Sequence, residues 1–318
     1  MSEKMKKAAL IAAACIAITA LICVLCIALG SKSKTVYTVK DTLPDGNGKK
    51  ATVILLAGQS NASGCSLDEY LKQNVTEEKY AEYENGYDNV YINYLSGLNT
   101  SQEFVKCKTL QGELAGAFGP ELGLAEKLHE MYPDETFFIV KCAWGGTNLH
   151  QQWLSPSSMG RTGELYEKFA AYVKTSLEYL ISKNYDVKIE AMCWMQGESD
   201  AYPAEIASAY GEHLSRFVTD VRKEFDKYAA DDGIAFIDAY IAANPMYWVY
   251  YQSVNMGKDE VARLSPMNDI VDTIEVGLTC SGEPEEQPDL AHYDSLSEIK
   301  LGHLFAEHIA PYLDLFEN

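Results

Sequence analysis

The chain has 318 residues, 47% of them hydrophobic, which suits one large domain or two small ones around a substantial core. A formal net charge of −20 argues against nucleic acid and anionic membrane surfaces as partners and for neutral ligands over polyanions, a bias that salt screens beyond about 8 to 10 Å. The six histidines and eight cysteines lack metal-ligand spacing, so no metal and no cofactor is expected.

At the amino end, Lys4, Lys6 and Lys7 precede an uncharged run of 22 residues, Ala8 to Leu29, long enough to cross a hydrocarbon core of about 30 Å. Positive residues prefer the cytoplasmic side. The pattern predicts an N-terminal transmembrane helix in residues 1–30, contact with the cell membrane through residues 8–29, and a single-pass protein with its large domain extracellular. A secreted product cut after Ala28-Leu29-Gly30 is the alternative, but secretory signals usually carry a shorter apolar core of about 7 to 15 residues. Residues 31–50, rich in Ser, Lys, Gly, Asp and Thr, read as a tether. One domain, residues 51–318, follows.

The run Thr52 to Ala57 predicts a buried strand, and Gly58-Gln59-Ser60-Asn61 puts the Ser60 hydroxyl on the turn leaving it. Residues 80–97 read as an elaborated loop. Its Tyr80, Tyr83, Tyr87, Tyr91 and Tyr94 either stack on sugar rings or serve as ordinary strand and edge residues. After a helix over 120–132, a strand over 136–142 runs into Trp144-Gly145-Gly146-Thr147-Asn148. Paired glycines let backbone approach a ligand, so an N–H from Gly145 or Gly146 would join that of Ser60 as an oxyanion donor; the sequence does not choose between them.

A helix over 163–183 precedes a strand over 187–193, which ends in Trp194-Met195-Gln196-Gly197-Glu198-Ser199-Asp200. The Gln196 amide is either a donor to a developing oxyanion, of a kind that contributes about 3 to 4 kcal/mol, or a tie between two loops. Glu198 and Asp200 would oppose negative charge there and are expected to turn toward backbone amides or loop donors.

Ile206, Tyr210, Leu214, Phe217, Val221 and Phe225 form one apolar helical stripe. Strands are expected over 234–239 and 269–274. Between them Trp248, Val249, Tyr250 and Tyr251 suggest a buried or cleft-lining segment, and Lys258 to Arg263 a short helix. Asp289 and His292 come from one loop, where a carboxylate can fix the imidazole tautomer while the other ring nitrogen faces Ser60. Asp294 reads as the cap of a final helix over 296–314. Of the five cysteines outside the amino-terminal run, Cys65, Cys107, Cys142, Cys193 and Cys280, at least one is unpaired; Cys142 and Cys193 read as core residues on neighbouring strands. Strand runs alternating with helical patterns predict an α/β fold, a three-layer α/β/α sandwich around a mainly parallel sheet.

Gly-Gln-Ser-Asn-Ala (58–62), Phe-Gly-Pro-Glu (118–121), Trp-Gly-Gly-Thr (144–147), Trp-Met-Gln-Gly-Glu-Ser-Asp (194–200) and Asp-x-x-His (289–292), in this order, resemble the sialate O-acetylesterase / carbohydrate esterase family 6 group of SGNH-type hydrolases. The resemblance covers about residues 51–312. It implies a flavodoxin-like (SGNH hydrolase) sheet, Ser60 as nucleophile, His292 as base, Asp289 as its partner, and Gln196 where other SGNH enzymes use an asparagine in the oxyanion hole. Gln59, Asn61, Trp144, Asn148, Trp194 and Glu198 are then expected to meet substrate. The implied activity is removal of O-acetyl groups from carbohydrate. Acetylated neutral polysaccharide such as xylan is the first expectation, and a sialic acid 9-O-acetylesterase the second. A non-catalytic glycan-binding module would not need Ser60, Gln196 and His292 together. An α/β-hydrolase lipase would want Gly-x-Ser-x-Gly in mid-chain, where this chain has Ala62 in place of the second glycine.

Overall fold

The computed structural model describes residues 36–158 and 160–313. The anchor expected in residues 1–30 lies outside them, and no helix among the described residues is long and apolar enough to cross a membrane.

In chain order the strands are β1 (Lys50–Gly58), β2 (Ser66–Leu67), β3 (Val90–Ser96), β4 (Asn99–Thr100), β5 (Val105–Lys106), β6 (Ala117–Phe118), β7 (Phe137–Ala143), β8 (Asp186–Met195), β9 (Ala235–Ala239) and β10 (Asn268–Val271). The helices are α1 (Ser60–Ser63), α2 (Asp68–Asn74), α3 (Glu77–Asn85), α4 (Glu121–Met131), α5 (Glu164–Ser182), α6 (Ala204–Glu224), α7 (Tyr251–Ala262) and α8 (Ser295–Ile309). The main sheet runs β10-β9-β8-β1-β7-β3-β4, with β5 also on β3. It is an α/β fold whose sheet is parallel from β10 to β3 and antiparallel only where β4 and β5 pair with β3. The five strands expected from sequence, β1, β7, β8, β9 and β10, stand in the doubly wound order 2-1-3-4-5, with β3 added outside β7.

From Ala51 to Gly58 every residue of β1 is buried, which requires cover on both faces because side chains alternate. Lys141 on β7 reaches Glu121 of α4 at 2.6 Å. Its neighbour Cys142 faces the other way, toward Tyr172 of α5, and burial pushes its thiol up. On that second face Trp194 of β8 packs at a tilt against Phe217 of α6, with Phe169 of α5 and Trp153 from the loop before it completing an aromatic cluster. Burial of these rings is the main stabilising contribution on that side.

Several expectations are corrected. Residues 80–97 are not a loop: Tyr80 and Tyr83 lie on α3, Tyr91 and Tyr94 on β3. Tyr80, Tyr83 and Tyr87 are buried. The Tyr80 hydroxyl donates to Asp68 at 2.5 Å and that of Tyr83 to Glu126 at 2.8 Å, so these tyrosines are structural. The helix expected over 258–263 begins seven residues earlier, at Tyr251. Cys142 and Cys193 are not on neighbouring strands, since β1 runs between theirs, and all five described cysteines are free.

The expected tether is, from residue 36 on, a strap on the domain. Leu43 is buried, the N–H groups of Thr42 and Leu43 both donate to the Tyr179 hydroxyl at 3.0 Å, and Gly46 N–H donates to Lys183 O at 2.7 Å.

Candidate active site

β1 ends at Gly58 with φ of +144°, and a Cβ there would lie 1.9 Å from Met195 O. Only glycine lets the end of β1 come this close to the end of β8. The Gln59 N–H then donates to Met195 O at 2.9 Å, and Ser60 opens α1 with 8% of its surface exposed. The position is the switch point of the sheet, with β7 on one side of β1 and β8 on the other, where a crevice forms at the carboxyl ends of the strands.

A buried polar floor adjoins the turn that carries Ser60, through Gln59. Gln196 Nε2 lies 2.7 Å from Asp200 Oδ2, 3.0 Å from Thr147 O and 3.2 Å from Gln59 Oε1, and Gln196 Oε1 is 3.0 Å from the Tyr210 hydroxyl. Asp200 also accepts from the N–H groups of Leu149 and His150 and sits 3.0 Å from His150 Nδ1. Gln59 Oε1 takes further contacts from the N–H groups of Gly197 and Ser199 at 3.4 and 3.3 Å. Three loop ends, 58–61, 144–150 and 195–200, are joined by this network.

The expected roles of several residues change accordingly. Gln196 is fully buried with its amide hydrogens directed at three protein acceptors, so the structure gives it the tie between loops and not the oxyanion contact. Gln59 belongs to the same floor. Trp194 is fully buried, its indole N–H donating to Tyr210, and has no surface for a substrate. Asp200 meets the expectation of facing backbone amides.

Asn61, also expected at the substrate, clasps the His292 loop. Its Nδ2 donates to Ala291 O at 3.3 Å and its Oδ1 accepts from Tyr293 N–H at 3.1 Å, so one side chain grips both neighbours of His292. The Ser66 hydroxyl adds a bond to Tyr293 O at 2.7 Å. The segments carrying Ser60 and His292 are therefore held side by side. Glu198 supports the clasp from behind, its Oε1 accepting from Asn61 Nδ2 at 2.9 Å. Burial pushes the Glu198 carboxyl up, against the opposing pull of the Asn61 bond and the charges of Lys258 and His292.

Within the loop, Asp289 Oδ2 lies 2.7 Å from His292 Nδ1, while Oδ1 accepts from the N–H groups of Ala291 and His292. The imidazole is 25% exposed, enough for a substrate to reach it. Burial disfavours its charged form, but the neighbouring Cys65 sulfur and the Asp289 carboxylate outweigh this and hold the His292 pKa well above its ordinary value. His292 in turn holds Asp289 below the usual carboxylate range against the effect of burial. Asp294 does not compete for the imidazole. Its carboxylate accepts from Thr279 Oγ1 and from the N–H groups of Gly282 and Glu283, and it makes no side-chain cap on α8, contrary to expectation.

The far wall is Trp144 to Asn148. Gly145 N–H donates to Glu113 Oε2 at 2.7 Å, the same oxygen that takes the Ser63 hydroxyl at 2.6 Å. Gly146 is exposed, and its N–H finds no acceptor among the described residues. Trp144 is half-buried, packs on Trp153 and donates from its indole to Gly97 O. Asn148 Oδ1 caps the turn by accepting from the N–H groups of Gln151 and Gln152. Glu113 and Cys65 are site residues that sequence reasoning missed. The only signal for Glu113 is a charge set in a glycine-rich stretch, Gly112 to Gly116; for Cys65 it is position, five residues after Ser60. Among the described residues no group of His, Cys, Asp and Glu side chains is arranged to hold a metal ion.

Comparison with known proteins gives the following. The family model described as carbohydrate esterase, sialic acid-specific acetylesterase, matches residues 50–311. A probable carbohydrate esterase of Arabidopsis thaliana is 29% identical over 117 residues, 36% of this chain; the match spans 40% of that relative's length. A solved structure from Arabidopsis thaliana superposes with a TM-score of 0.59 at 19% identity, covering 83% of this chain and 100% of that one. NanS superposes with a TM-score of 0.59 at 16% identity over 85% and 98% of the two chains. A carbohydrate acetylesterase from Xanthomonas citri gives 0.54 at 16% identity over 83% and 57%. At such identities the superpositions bear on the fold.

Proposed function

Because the chain belongs to the carbohydrate esterase family of sialic acid-specific acetylesterases, a family of carboxylic ester hydrolases, we propose that it removes O-acetyl groups from carbohydrate with a Ser60-His292-Asp289 triad on an SGNH-type, flavodoxin-like scaffold. The observation that carries this reading is the Asn61 clasp. It holds the His292 loop against the turn that begins with Ser60, while Asp289 fixes the imidazole from its other side.

In this mechanism the Ser60 hydroxyl attacks the acetyl carbonyl as His292 Nε2 takes its proton; Asp289 holds the Nδ1 tautomer and stabilises the imidazolium that forms. The oxyanion is met by the N–H groups of Ser60 and Gly146, because that of Gly145 already serves Glu113. The tetrahedral intermediate collapses, the sugar oxygen leaves with the proton from His292, and an acetyl-enzyme remains. Water activated by the same imidazole then releases acetate and restores Ser60.

Acetylated neutral polysaccharide of the acetylxylan type is the substrate we favour. Glu113 and Asp289 border the site in a chain of net charge −20, which opposes an anionic sugar. O-acetylated sialic acid is the second reading, favoured by the family's description. We further propose that residues 8–29 anchor the protein in the cell membrane with the esterase domain extracellular.

The test is acetate release from 4-nitrophenyl acetate and acetylated xylan by wild type, Ser60→Ala and His292→Ala. Each substitution is expected to lower kcat by roughly a thousandfold or more. Turnover that survives either change would remove the catalytic assignment.

A further inference from the structure

The segment between β9 and α7 carries exposed apolar surface that the floor and the triad leave unused. Met246, Val249 and Tyr250 are exposed and Tyr247 is half-buried, and Tyr202, in the turn after Asp200, is 66% exposed. This segment is tied to both walls of the crevice. At one end Asn244 Nδ2 donates to Leu290 O at 2.9 Å, two residues from His292. At the other, Tyr250 N–H donates to Ala201 O at 2.8 Å, directly after the turn whose Glu198 holds Asn61. Burial pushes the Tyr247 hydroxyl up, and the Asp289 carboxylate adds to this. Asn244 and Leu290 also line a cavity of about 230 Å³, together with Thr273, Thr279 and Ser281. The cavity itself is lined by hydroxyl, amide and aliphatic groups; the exposed tyrosines lie on the same segment, which hydrogen bonds at Leu290 and Ala201 fasten beside the triad loop and the floor, and rings next to such polar groups match the amphipathic faces of a pyranose.

We propose that residues 244–250, with Tyr202 and Leu290, form a glycosyl-binding rim that takes the neutral sugar units flanking the acetylated one. The occupant is an uncharged glycan chain, since Glu283, Glu285, Glu286 and Asp289 lie on the adjoining loop and repel anionic sugars. The inference rests on the deacetylase reading above and adds which residues hold the sugar units on either side of the acetylated one.

The experiment compares acetylated xylo-oligosaccharides with 4-nitrophenyl acetate, which has no glycan, for wild type, Tyr250→Ala, Tyr247→Ala and Tyr250→Phe. The ratio of kcat/KM for oligosaccharide to that for 4-nitrophenyl acetate is expected to fall about tenfold in each alanine variant, a factor equal to about 1.4 kcal/mol, mainly through KM. Tyr250→Phe, which keeps the ring, should restore it. In parallel, xylohexaose binding to the full chain carrying Ser60→Ala is measured by calorimetry, with and without Tyr250→Ala; the second change should weaken it about tenfold. An unchanged ratio together with unchanged xylohexaose binding would overturn the rim. So would dimerisation or lipid-vesicle binding that Tyr250→Ala abolishes while the ratio stays constant. Failure of the deacetylase reading looks different: hydrolysis of both esters would then survive Ser60→Ala.

Discussion

Two groups favour the charged form of His292, the sulfur of Cys65 and the carboxylate of Asp289 at 2.7 Å, and its pKa is held well above the ordinary value despite burial. A base must be neutral to accept the Ser60 proton. Activity is therefore expected to rise with pH through a midpoint above the usual imidazole value of about 6.5. Cys65→Ala removes one of the two groups, so the acid limb of kcat/KM should move to lower pH; a limb that stays in place would show that Asp289 alone raises the imidazole. At this scale the sequence is readable where chemistry is compact. Asp289 and His292 lie three residues apart and meet within a single turn, and Gly58-Gln59-Ser60-Asn61 follows an evident strand. Gln196 shows the converse. A buried amide that donates to protein acceptors and one that donates to an oxyanion have the same local sequence, and only the positions of Thr147, Asp200 and Gln59 distinguish them.

Among elements, the packing of α3, α4 and α8 converges on one carboxylate. Glu126 of α4 accepts from Lys79 and Tyr83 of α3 at 2.9 and 2.8 Å and sits 2.7 Å from Nε2 of His303 on α8. Burial alone would push its carboxyl up, but these three partners take it down to about 2. The depressed pKa means that the folded state binds the proton less readily than the unfolded one. The stabilisation is complete above the ordinary value of about 4.5 and is lost as pH falls toward 2, an effect of up to about 3 kcal/mol. Glu126→Gln should lower stability at pH 7 and flatten its decline over that window, as read by chemical denaturation at several pH values; an unchanged slope would discount the pair network. The helix carrying Lys79 and Tyr83 was hidden in the sequence by its own composition. Tyr80, Tyr83 and Tyr87 do recur at helical spacing, but glutamates and asparagines between them weaken the apolar stripe, and hydroxyls invite a ligand reading. Strand β3 shows only Val90 and Ile92 in strict alternation before Tyr94, since it lies outside β7 near the sheet edge.

Taken as a whole, the chain folds as its strand runs and helical stripes require, because parallel strands buried on both faces leave long apolar signatures. The order of those strands is not local information. It follows from crossovers that place β1 between β7 and β8, and so put the turns after three strands at one edge. The strap over residues 36–49 was illegible for a related reason. Its Thr, Lys, Gly and Asp content is that of a linker, and its attachment rests on backbone N–H groups reaching Tyr179 and Lys183, on the buried side chain of Leu43 and on scattered contacts such as Tyr37 with Tyr172 and Asp41 with Lys183. Leu43→Ala is expected to cost about 2 kcal/mol or more, equivalent to a fall in Tm of roughly 4 °C. Scanning calorimetry of the full chain measures this, and a free tether would give no change.

The grip of Asn61 spans 230 positions of sequence to reach Ala291 O. One amide thereby works as a spacer gauge between the first turn of the domain and its last loop. Damage to the final segment, whether by a protease nick after Cys280 or by fraying of the terminal helix, is conveyed to the nucleophile chiefly through that side chain, with the Ser66 hydroxyl as the second link. Turnover should then fail before global unfolding begins, so that loss of activity becomes an early reporter of wear at the opposite end of the polypeptide.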